Sequence, residues 1–193
     1  MILEGVLIGV LWGWTRRGTL RRLVSLPLRQ PWWFLVGLLL QEGAILLRAQ
    51  GWLPPWSVPV AVLLAHVCII AGLVANRHLP GTGWLAAGTL LNLLVIAAHG
   101  GRMPVLDSAI RAAGLDGFRW MLTAGAASKY TLLPDGDPWA VLADSIPLYP
   151  PYYPLRRVAS LGDIVGMVGM AEIVGLGMQG QGKRSQAPAG RVI

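Results

Sequence analysis

The chain has 193 residues, of which 54% are hydrophobic and only 13% are charged, and its mean hydropathy is +0.57. Soluble domains carry about 25% charged residues, so this composition excludes an ordinary cytosolic enzyme. The net charge of +7 raises nucleic acid as a partner, but no basic patch interleaved with aromatic residues is present, and no nucleic acid partner is predicted. The composition predicts an integral membrane protein.

Five apolar segments predict an all-α membrane domain. The first is short enough for a signal peptide, but its arginines follow the apolar run, whereas a signal peptide carries its positive charge before that run. A helix needs about 20 residues to cross the hydrocarbon core. We therefore expect about five transmembrane helices within one membrane domain, residues 1–178. The five segments are residues 1–14, 32–47, 58–75, 83–98 and 160–178.

The basic residues predict the orientation, because Lys and Arg in short loops favour the cytoplasmic side. Nine of them lie in the first connection, the third connection and the tail, which puts the N-terminus outside and the C-terminus inside the cell. The tail, residues 179–193, is poor in apolar residues, and we expect it to be disordered in the cytoplasm. The nine residues are Arg16, Arg17, Arg21, Arg22, Arg29, Arg77, Lys183, Arg184 and Arg191.

The long loop of residues 100–158 is the only sizeable region outside the predicted spans. Its apolar residues predict a small ordered lid outside the cell, with short helices at 108–113 and 117–123. Four prolines in residues 146–155 favour an extended path into the last span. Tyrosines of this stretch are expected to anchor at the lipid interface; they are Tyr149, Tyr152 and Tyr153.

Ionisable and amide side chains inside spans are expensive and mark functional sites by default. Glu42, His66, Asn92 and Asp163 lie about 5 to 12 Å from the predicted outer helix ends, so they can share one layer under the lid. The structural alternatives are interhelical hydrogen bonding by His66 and Asn92 and helix capping by Asp163. Glu4 is also polar, but it is close enough to the N-terminus to reach the interface.

We expect neither a metal nor a cofactor. His99, Asp107, Asp144 and Asp163 are all expected near the outer face, but none of them has the close, regular spacing of zinc ligands. The glycine-rich motifs that bind nucleotide phosphates are absent as well.

Several short motifs together resemble a family of small bacterial multi-pass membrane proteins whose function is unknown. Where the family typically has Asn-Gly-Gly-Arg-Met-Pro, this chain has His99 in place of the Asn. The resemblance implies a multi-pass fold in the bacterial inner membrane and supports the choice of candidate residues, but it implies no activity. The motifs are NRHLPG at 76–81, LNLLVI at 91–96, GGRMPV at 100–105, residues 144–148, and SLGD at 160–163.

Arg102 is expected at the outer lipid interface, where it can bind a lipid phosphate or a carboxylate, or can clamp the lid through Asp144 or Asp163. We predict a non-enzymatic module that binds lipid or a small molecule, or an accessory subunit of a membrane complex. Its expected partners are membrane lipid, another membrane protein or a second copy of the chain. The predicted ligand contacts are Arg102, Asn92, Asp163, His66 and Glu42.

The alternative is an intramembrane hydrolase in which Asp144 or Asp107 pairs with Asp163, since two close carboxyl groups with different pKa values can activate water. Residues 160–164 are loosely similar to the second aspartate motif of the lipoprotein signal peptidases. The other motif of those enzymes, an Asn and an Asp-Arg pair at the end of the preceding helix, is absent in that form.

Overall fold

The computed structural model describes residues 1–151 and 153–180. Tyr152, one of the predicted interface anchors, and residues 181–193 of the predicted disordered tail lie outside the described residues.

Five long apolar helices occupy the five apolar segments of the sequence: α1 (Ile2–Thr15), α3 (Trp32–Ala49), α4 (Ser57–Ala75), α5 (Thr82–Ala98) and α8 (Leu161–Gln179). A short helix, α2 (Leu20–Val24), joins α1 to α3. Among the described helices, α3, α4 and α8 are long and apolar enough to cross a membrane. With 14 residues, α1 is about 21 Å long and falls short of a 30 Å hydrocarbon core.

The long helices pack in a row, in the order α1, α8, α5, α4, α3. Helices α1 and α8 run parallel, because Gly5 faces Met167 and Met170, and Gly13 faces Met178 near the other end of α8. A Cβ atom on Gly9 would lie 2.7 Å from the Ala171 carbonyl oxygen. The glycines of α1 therefore let the two backbones approach closely, as small residues do between membrane helices.

Helix α5 packs against the other side of α8 and runs antiparallel to it. Gly88 meets the α8 backbone at Gly162 and Gly166, and a Cβ atom on Gly88 would lie 2.6 Å from the Gly166 nitrogen. Closer to the start of α5, Gly169 meets Leu85 and the Gly81 carbonyl. The small residues of α8 are thus used for packing within the chain.

The ends of the helices form two groups. The start of α1, the turn between α3 and α4, the end of α5 and the start of α8 lie at one end, here called the cap end. The other end, called the far end, holds the connection from α1 through α2 to α3, the turn from α4 to α5, and the end of α8. At the far end the buried Asn76 receives a hydrogen bond from the Arg29 backbone nitrogen at 2.7 Å and donates one to the Arg29 carbonyl at 2.6 Å.

Residues 100–159, called the cap, fold over the cap end. They contain helices α6 (Asp107–Ala112) and α7 (Asp116–Thr123), a 3-10 helix (Pro138–Val141), and the strands β1 (Met103–Leu106), β2 (Tyr130–Leu133), β3 (Ile146–Leu148) and β4 (Arg157–Ala159). Strands β1 and β2 are parallel, and β3 and β4 are antiparallel. The two predicted short helices are present within a residue or so of their predicted bounds.

The four strands correct the prediction of an all-α chain, although the chain remains mostly helical. Each strand has only three or four residues, too few to show an alternating pattern, and β1 and β3 both contain a proline. Residue Met103 of β1 pairs with Tyr130, 27 positions later. Such pairing between distant, very short segments leaves no local signal in the sequence.

The cap is joined to the helices by an apolar core. Val58 and Val62 of α4, Val95 and Ile96 of α5, and Met103 of β1 are buried together. From the cap, Tyr130, Trp139 and Leu142 pack against this core. A second cluster inside the cap is built around Val105, Ile110 and Leu122.

Candidate functional site

The start of α8 carries a capping box. The Ser160 hydroxyl oxygen accepts a hydrogen bond from the Asp163 backbone nitrogen at 3.0 Å, and the Ser160 backbone nitrogen donates to Asp163 Oδ2 at 3.3 Å. The two side chains satisfy amide groups that have no partner at the start of a helix. Asp163 therefore caps the first turn of α8, which is the structural alternative predicted for this residue.

Asn92 of α5 completes this network. Its Nδ2 donates to Asp163 Oδ1 at 3.1 Å, and its Oδ1 accepts from the Ser160 hydroxyl at 2.8 Å. Two of the predicted contact residues, Asn92 and Asp163, are thus brought together. The network fastens α5 to α8 directly beneath the cap.

Asp144 lies beside β1 in the cap and is 93% buried. Its backbone nitrogen donates to the Pro104 carbonyl at 3.0 Å, and its carbonyl accepts from the Leu106 nitrogen at 3.0 Å. Burial, reinforced by the negative charge of Asp163, raises the pKa of the Asp144 carboxyl to about 8. Asp144 is therefore a neutral acid at pH 7, and it lies within electrostatic range of Asp163.

Tyr130 adds a second neutral oxygen to the same region. Burial, with the charges of Asp144 and Asp163, raises the pKa of its phenol to about 12. Its ring meets Phe118 edge-on at 5.4 Å. Neither Tyr130 nor Ser160 was predicted as a site residue. The Ser-x-x-Asp spacing of a capping box could have indicated Ser160, but nothing near Tyr130 in the sequence indicates its position.

Three of the other candidate residues lie outside this network. The His66 Nδ1 lies 2.8 Å from the Val62 carbonyl oxygen of its own helix. The Glu42 side chain is exposed and accepts a hydrogen bond from its neighbour Gln41 at 2.9 Å. Asp107 is held in the cap by Arg119 at 2.6 Å and by Arg111, and the hydrogen bond from Arg119 holds the pKa of its carboxyl below the ordinary value.

Glu4, which the sequence places close to the lipid interface, is bonded to the cap. Its carboxylate accepts hydrogen bonds from Arg157 of β4 at 2.6 Å and from the Tyr153 hydroxyl. Arg157 also donates to that hydroxyl at 3.1 Å. This contact ties the start of α1 to the cap, and Tyr153, predicted as a lipid anchor, is used for it.

Arg102 lines a groove between the cap and the ends of α4 and α5. The groove has a volume of about 580 Å³ and opens to the outside of the molecule. His99 stands beside Arg102, with its ring edge-on to Trp139 at 5.9 Å. The lining residues are Pro55, Trp56, Pro59, Val60, His99, Gly100, Arg102 and Thr131.

The interpretation of Arg102 as a clamp to Asp144 or Asp163 is wrong. Within the described part of the chain, Arg102 makes no ion pair with an acidic side chain. The reason lies in the backbone before it, where Gly100 and Gly101 have φ angles of 63° and 85°. Gly101 packs against Pro59 of α4, and this turn directs Arg102 to the groove side of the cap.

Among residues 1–151 and 153–180, no three His, Cys, Asp or Glu side chains come together in a way that could hold a metal ion.

Comparison with known proteins identifies the family. Residues 25–174 match the model of a family of unknown function, DUF5317. The chain belongs to this family. The match confirms the resemblance to a family of unknown function, and it includes Asn92, Arg102, Asp144 and Asp163, whereas α1 precedes it.

The chain is also similar to an uncharacterized protein of Thermotoga maritima, with 30% identity over 116 residues. The aligned part covers 60% of this chain and 62% of the relative, so the chain spans less than two thirds of the relative's length. No solved structure matches the chain. Membership of DUF5317 therefore implies no activity.

Proposed function

We propose that this chain is a multi-pass protein of a bacterial inner membrane that binds an anionic lipid headgroup in the Arg102 groove. The observation that carries the proposal is that Arg102, which has no acidic partner among the described residues, lines an open groove of about 580 Å³ beside His99 and Trp56. A guanidinium group matches the geometry of phosphate and carboxylate oxygens.

The charge distribution supports an orientation with the cap outside the cell. Six arginines belong to the far end, and the acidic residues of the described chain lie elsewhere. Under the positive-inside rule the far end is cytoplasmic and the groove faces the outer leaflet. In this orientation α1, α3, α4, α5 and α8 are the five spans, with the bilayer thinned locally around the short α1, and the cap is the outer lid. The six residues are Arg16, Arg17, Arg21, Arg22, Arg29 and Arg77.

The position of the groove supports a headgroup as its ligand. Trp56 is 66% exposed at its edge, and Trp52 is 76% exposed in the preceding turn. Tryptophan side chains prefer the headgroup level of a membrane. The guanidinium of Arg102 therefore stands at the depth where lipid phosphates are found.

The surface beside the groove supports an amphiphile over a free anion. Val60 lines the groove, and Leu64 and Val67 continue from it along the same side of α4. These three side chains are 44%, 49% and 55% exposed. Their spacing of four and three residues keeps them on one helical face, where an acyl chain can lie below a headgroup held by Arg102.

Lipid titration of the purified chain tests the proposal. Micelles containing phosphatidylglycerol, micelles containing phosphatidylcholine, and inorganic phosphate are compared by native mass spectrometry and thermal stability. We expect retention of phosphatidylglycerol, and a loss of about 10- to 100-fold in its affinity on Arg102→Gln, since a hydrogen bond to a charged group contributes about 1.5 to 3 kcal/mol.

Arg77→Gln is the matched control, because it removes the same charge from the exposed far end of α4. It should leave the affinity for phosphatidylglycerol unchanged. Equal retention of both lipids, or an equal loss in the two variants, would contradict the proposal. Binding of inorganic phosphate alone would assign the groove to a soluble anion.

One observation favours a second candidate function, an aspartate-dependent hydrolase. The neutral Asp144 acid lies near the Asp163 carboxylate, and such a pair can divide the acid and base roles. In that reaction Asp163 would take a proton from a water molecule while the water oxygen adds to a peptide carbonyl carbon. Asp144 would then protonate the leaving amine as the C–N bond breaks. Against it, both Asp163 oxygens are already engaged by Asn92 and Ser160.

The hydrolase is tested by incubating reconstituted protein with fluorescent single-span peptides. Cleavage that is abolished by both Asp144→Asn and Asp163→Asn would support it. Intact peptides, or cleavage that survives either substitution, would exclude it for those substrates.

A further inference from the structure

The short helix α2 lies alongside the end of α8. The backbone nitrogen of Thr19, just before α2, donates to the Met178 carbonyl oxygen at 2.9 Å. Leu23 and Leu26 face Gly177, where an added Cβ atom would lie 3.0 Å from each of these two side chains. These contacts hold α2 at the level of the last turn of α8.

The last turn of α8 lies where a membrane surface is expected. With 19 residues, α8 is about 28 Å long, which is close to the thickness of a hydrocarbon core of about 30 Å. Two tryptophans mark the same end of the bundle: Trp14 near the end of α1 is 56% exposed, and Trp32 at the start of α3 is 52% exposed. Tryptophan side chains prefer the headgroup level of a membrane. Helix α2 therefore lies at the boundary between acyl chains and headgroups.

The side of α2 that is turned away from α8 is apolar. Leu20 and Val24 are four residues apart, so they share one face of the helix, and they are 49% and 88% exposed. Leu28, in the irregular segment that follows, is 55% exposed. A hydrated loop would leave these side chains in water, whereas lipid at the acyl boundary covers them, as it covers the apolar side of an interfacial helix.

Arginines flank this apolar side. Arg16, Arg17 and Arg21 are exposed, and their side chains make no hydrogen bond or ion pair with any residue that the structure describes. No acidic residue occurs in the sequence between Glu4 and Glu42. The three guanidinium groups therefore form a positive surface at headgroup level that nothing in the described chain neutralises.

We propose that α2 and the turn that leads into it form a binding site for anionic phospholipid in the leaflet at the far end. Arg16, Arg17 and Arg21 bind the headgroup phosphates, and the acyl chains cover Leu20 and Val24. The charge selects an anionic lipid over a zwitterionic one, because each basic residue near the surface adds to the attraction. The exposed apolar side selects a lipid over a soluble anion, because it lies where acyl chains begin.

This site is separate from the Arg102 groove, which lies at the cap end. The inference rests on the membrane location that the proposed function contains, but it does not need a headgroup in that groove. A readout placed at α2 therefore distinguishes the failure of one site from the failure of the other.

Fluorescence quenching at residue 24 tests the site. The chain with Cys68→Ala and Val24→Cys is labelled with a thiol-reactive fluorophore and placed in phosphatidylcholine nanodiscs that contain spin-labelled phosphatidylglycerol or spin-labelled phosphatidylcholine. We expect the affinity for phosphatidylglycerol to exceed that for phosphatidylcholine by about 10- to 100-fold. Arg17→Gln and Arg21→Gln should each lower this preference by about fivefold.

Two variants serve as controls. Arg77→Gln removes an exposed arginine from the turn between α4 and α5 at the same end of the bundle, and Arg102→Gln removes the arginine of the groove. Both should leave the quenching at residue 24 unchanged. Equal quenching by the two lipids, a preference that survives Arg17→Gln combined with Arg21→Gln, or an equal loss in Arg77→Gln would overturn the proposal.

A second measurement leaves every arginine in place. Iodide in the water should quench a fluorophore at residue 24 several-fold less than one at Asp116→Cys, which is an exposed, charged position of the cap. Nanodiscs leave both membrane surfaces open to iodide. Equal quenching at the two positions would put the apolar side of α2 in water and would refute the site.

Discussion

Asn92 donates a hydrogen bond to Asp163 across the α5–α8 boundary, at 3.1 Å, while its own side-chain oxygen accepts from Ser160. One amide group thus serves both partners of the capping box at the start of α8.

Replacing Asn92 with Leu should lower the free energy of unfolding by about 1 to 2 kcal/mol, because it leaves Asp163 and Ser160 each short of one partner. Asn92→Asp should be worse, since it puts a second carboxyl group against Asp163. Denaturant unfolding in mixed micelles measures both. Thr89→Ala is the control, because Thr89 bonds only within α5; if it is as damaging as Asn92→Leu, the network has no special role.

Gly9 lies where α1 meets α8. Alanine at this position would bring its Cβ atom to 2.7 Å from both the Ala171 carbonyl oxygen and the Val174 Cβ. We expect Gly9→Ala to destabilise the protein by about 1 to 3 kcal/mol through overpacking. Gly83→Ala has open space around the new Cβ and should be neutral or slightly stabilising. Thermal unfolding in micelles compares the two variants, and equal melting temperatures would contradict the close packing.

Asp144 should make stability depend on pH. Its pKa is raised from 3.8 to about 8 in the folded protein, so between these values the folded state holds a proton that the unfolded state has lost. Stability contributed by this group is full below pH 4 and falls as pH rises toward 8, by up to about 1.4 kcal/mol per pH unit. Asp144→Asn should abolish this fall, and unfolding measured at pH 5 and pH 8 checks it. An unchanged slope in the variant would show that Asp144 is not the group.

Arg157 should control how firmly α1 is attached to the cap. Arg157→Gln removes the bonds to Glu4 and to Tyr153, and we expect a loss of about 1 to 3 kcal/mol. Hydrogen exchange should accelerate in the first turns of α1. Arg111→Gln is the comparison, because Arg111 is 51% exposed and such pairs contribute about 0 to 1 kcal/mol. Unchanged exchange in α1 after Arg157→Gln would refute the link.

The long helices were predictable because an apolar segment of this length has few other stable structures. Asn92 and Asp163 were predictable as a pair at one depth, since the helical rise converts sequence distance into position. The sequence did not predict which side of each helix faces its neighbour, so it could not show that His66 and Glu42 make their hydrogen bonds outside the network of Asn92 and Asp163. That choice depends on the order of helices in the row, which is set by glycine contacts between distant segments.

The cap was predictable as a folded region from its apolar residues, but its strands were not. Tyr130 reaches the site through the pairing of β2 with β1, and Asp144 through a bridge to Val105. Both contacts join segments that are far apart in the sequence. The wrong assignment of Arg102 has a more local cause, because Arg102 directly follows a turn at Gly100 and Gly101 whose φ angles are both positive.

The order of helices in the row has a consequence for synthesis in the cell. Of the five long helices, α1 is translated before the others, yet its glycine face packs against α8, which follows all of them. While residues 16–160 emerge from the ribosome, that face has no partner within the chain. The α1–α8 pair can therefore form only after α8 has been translated.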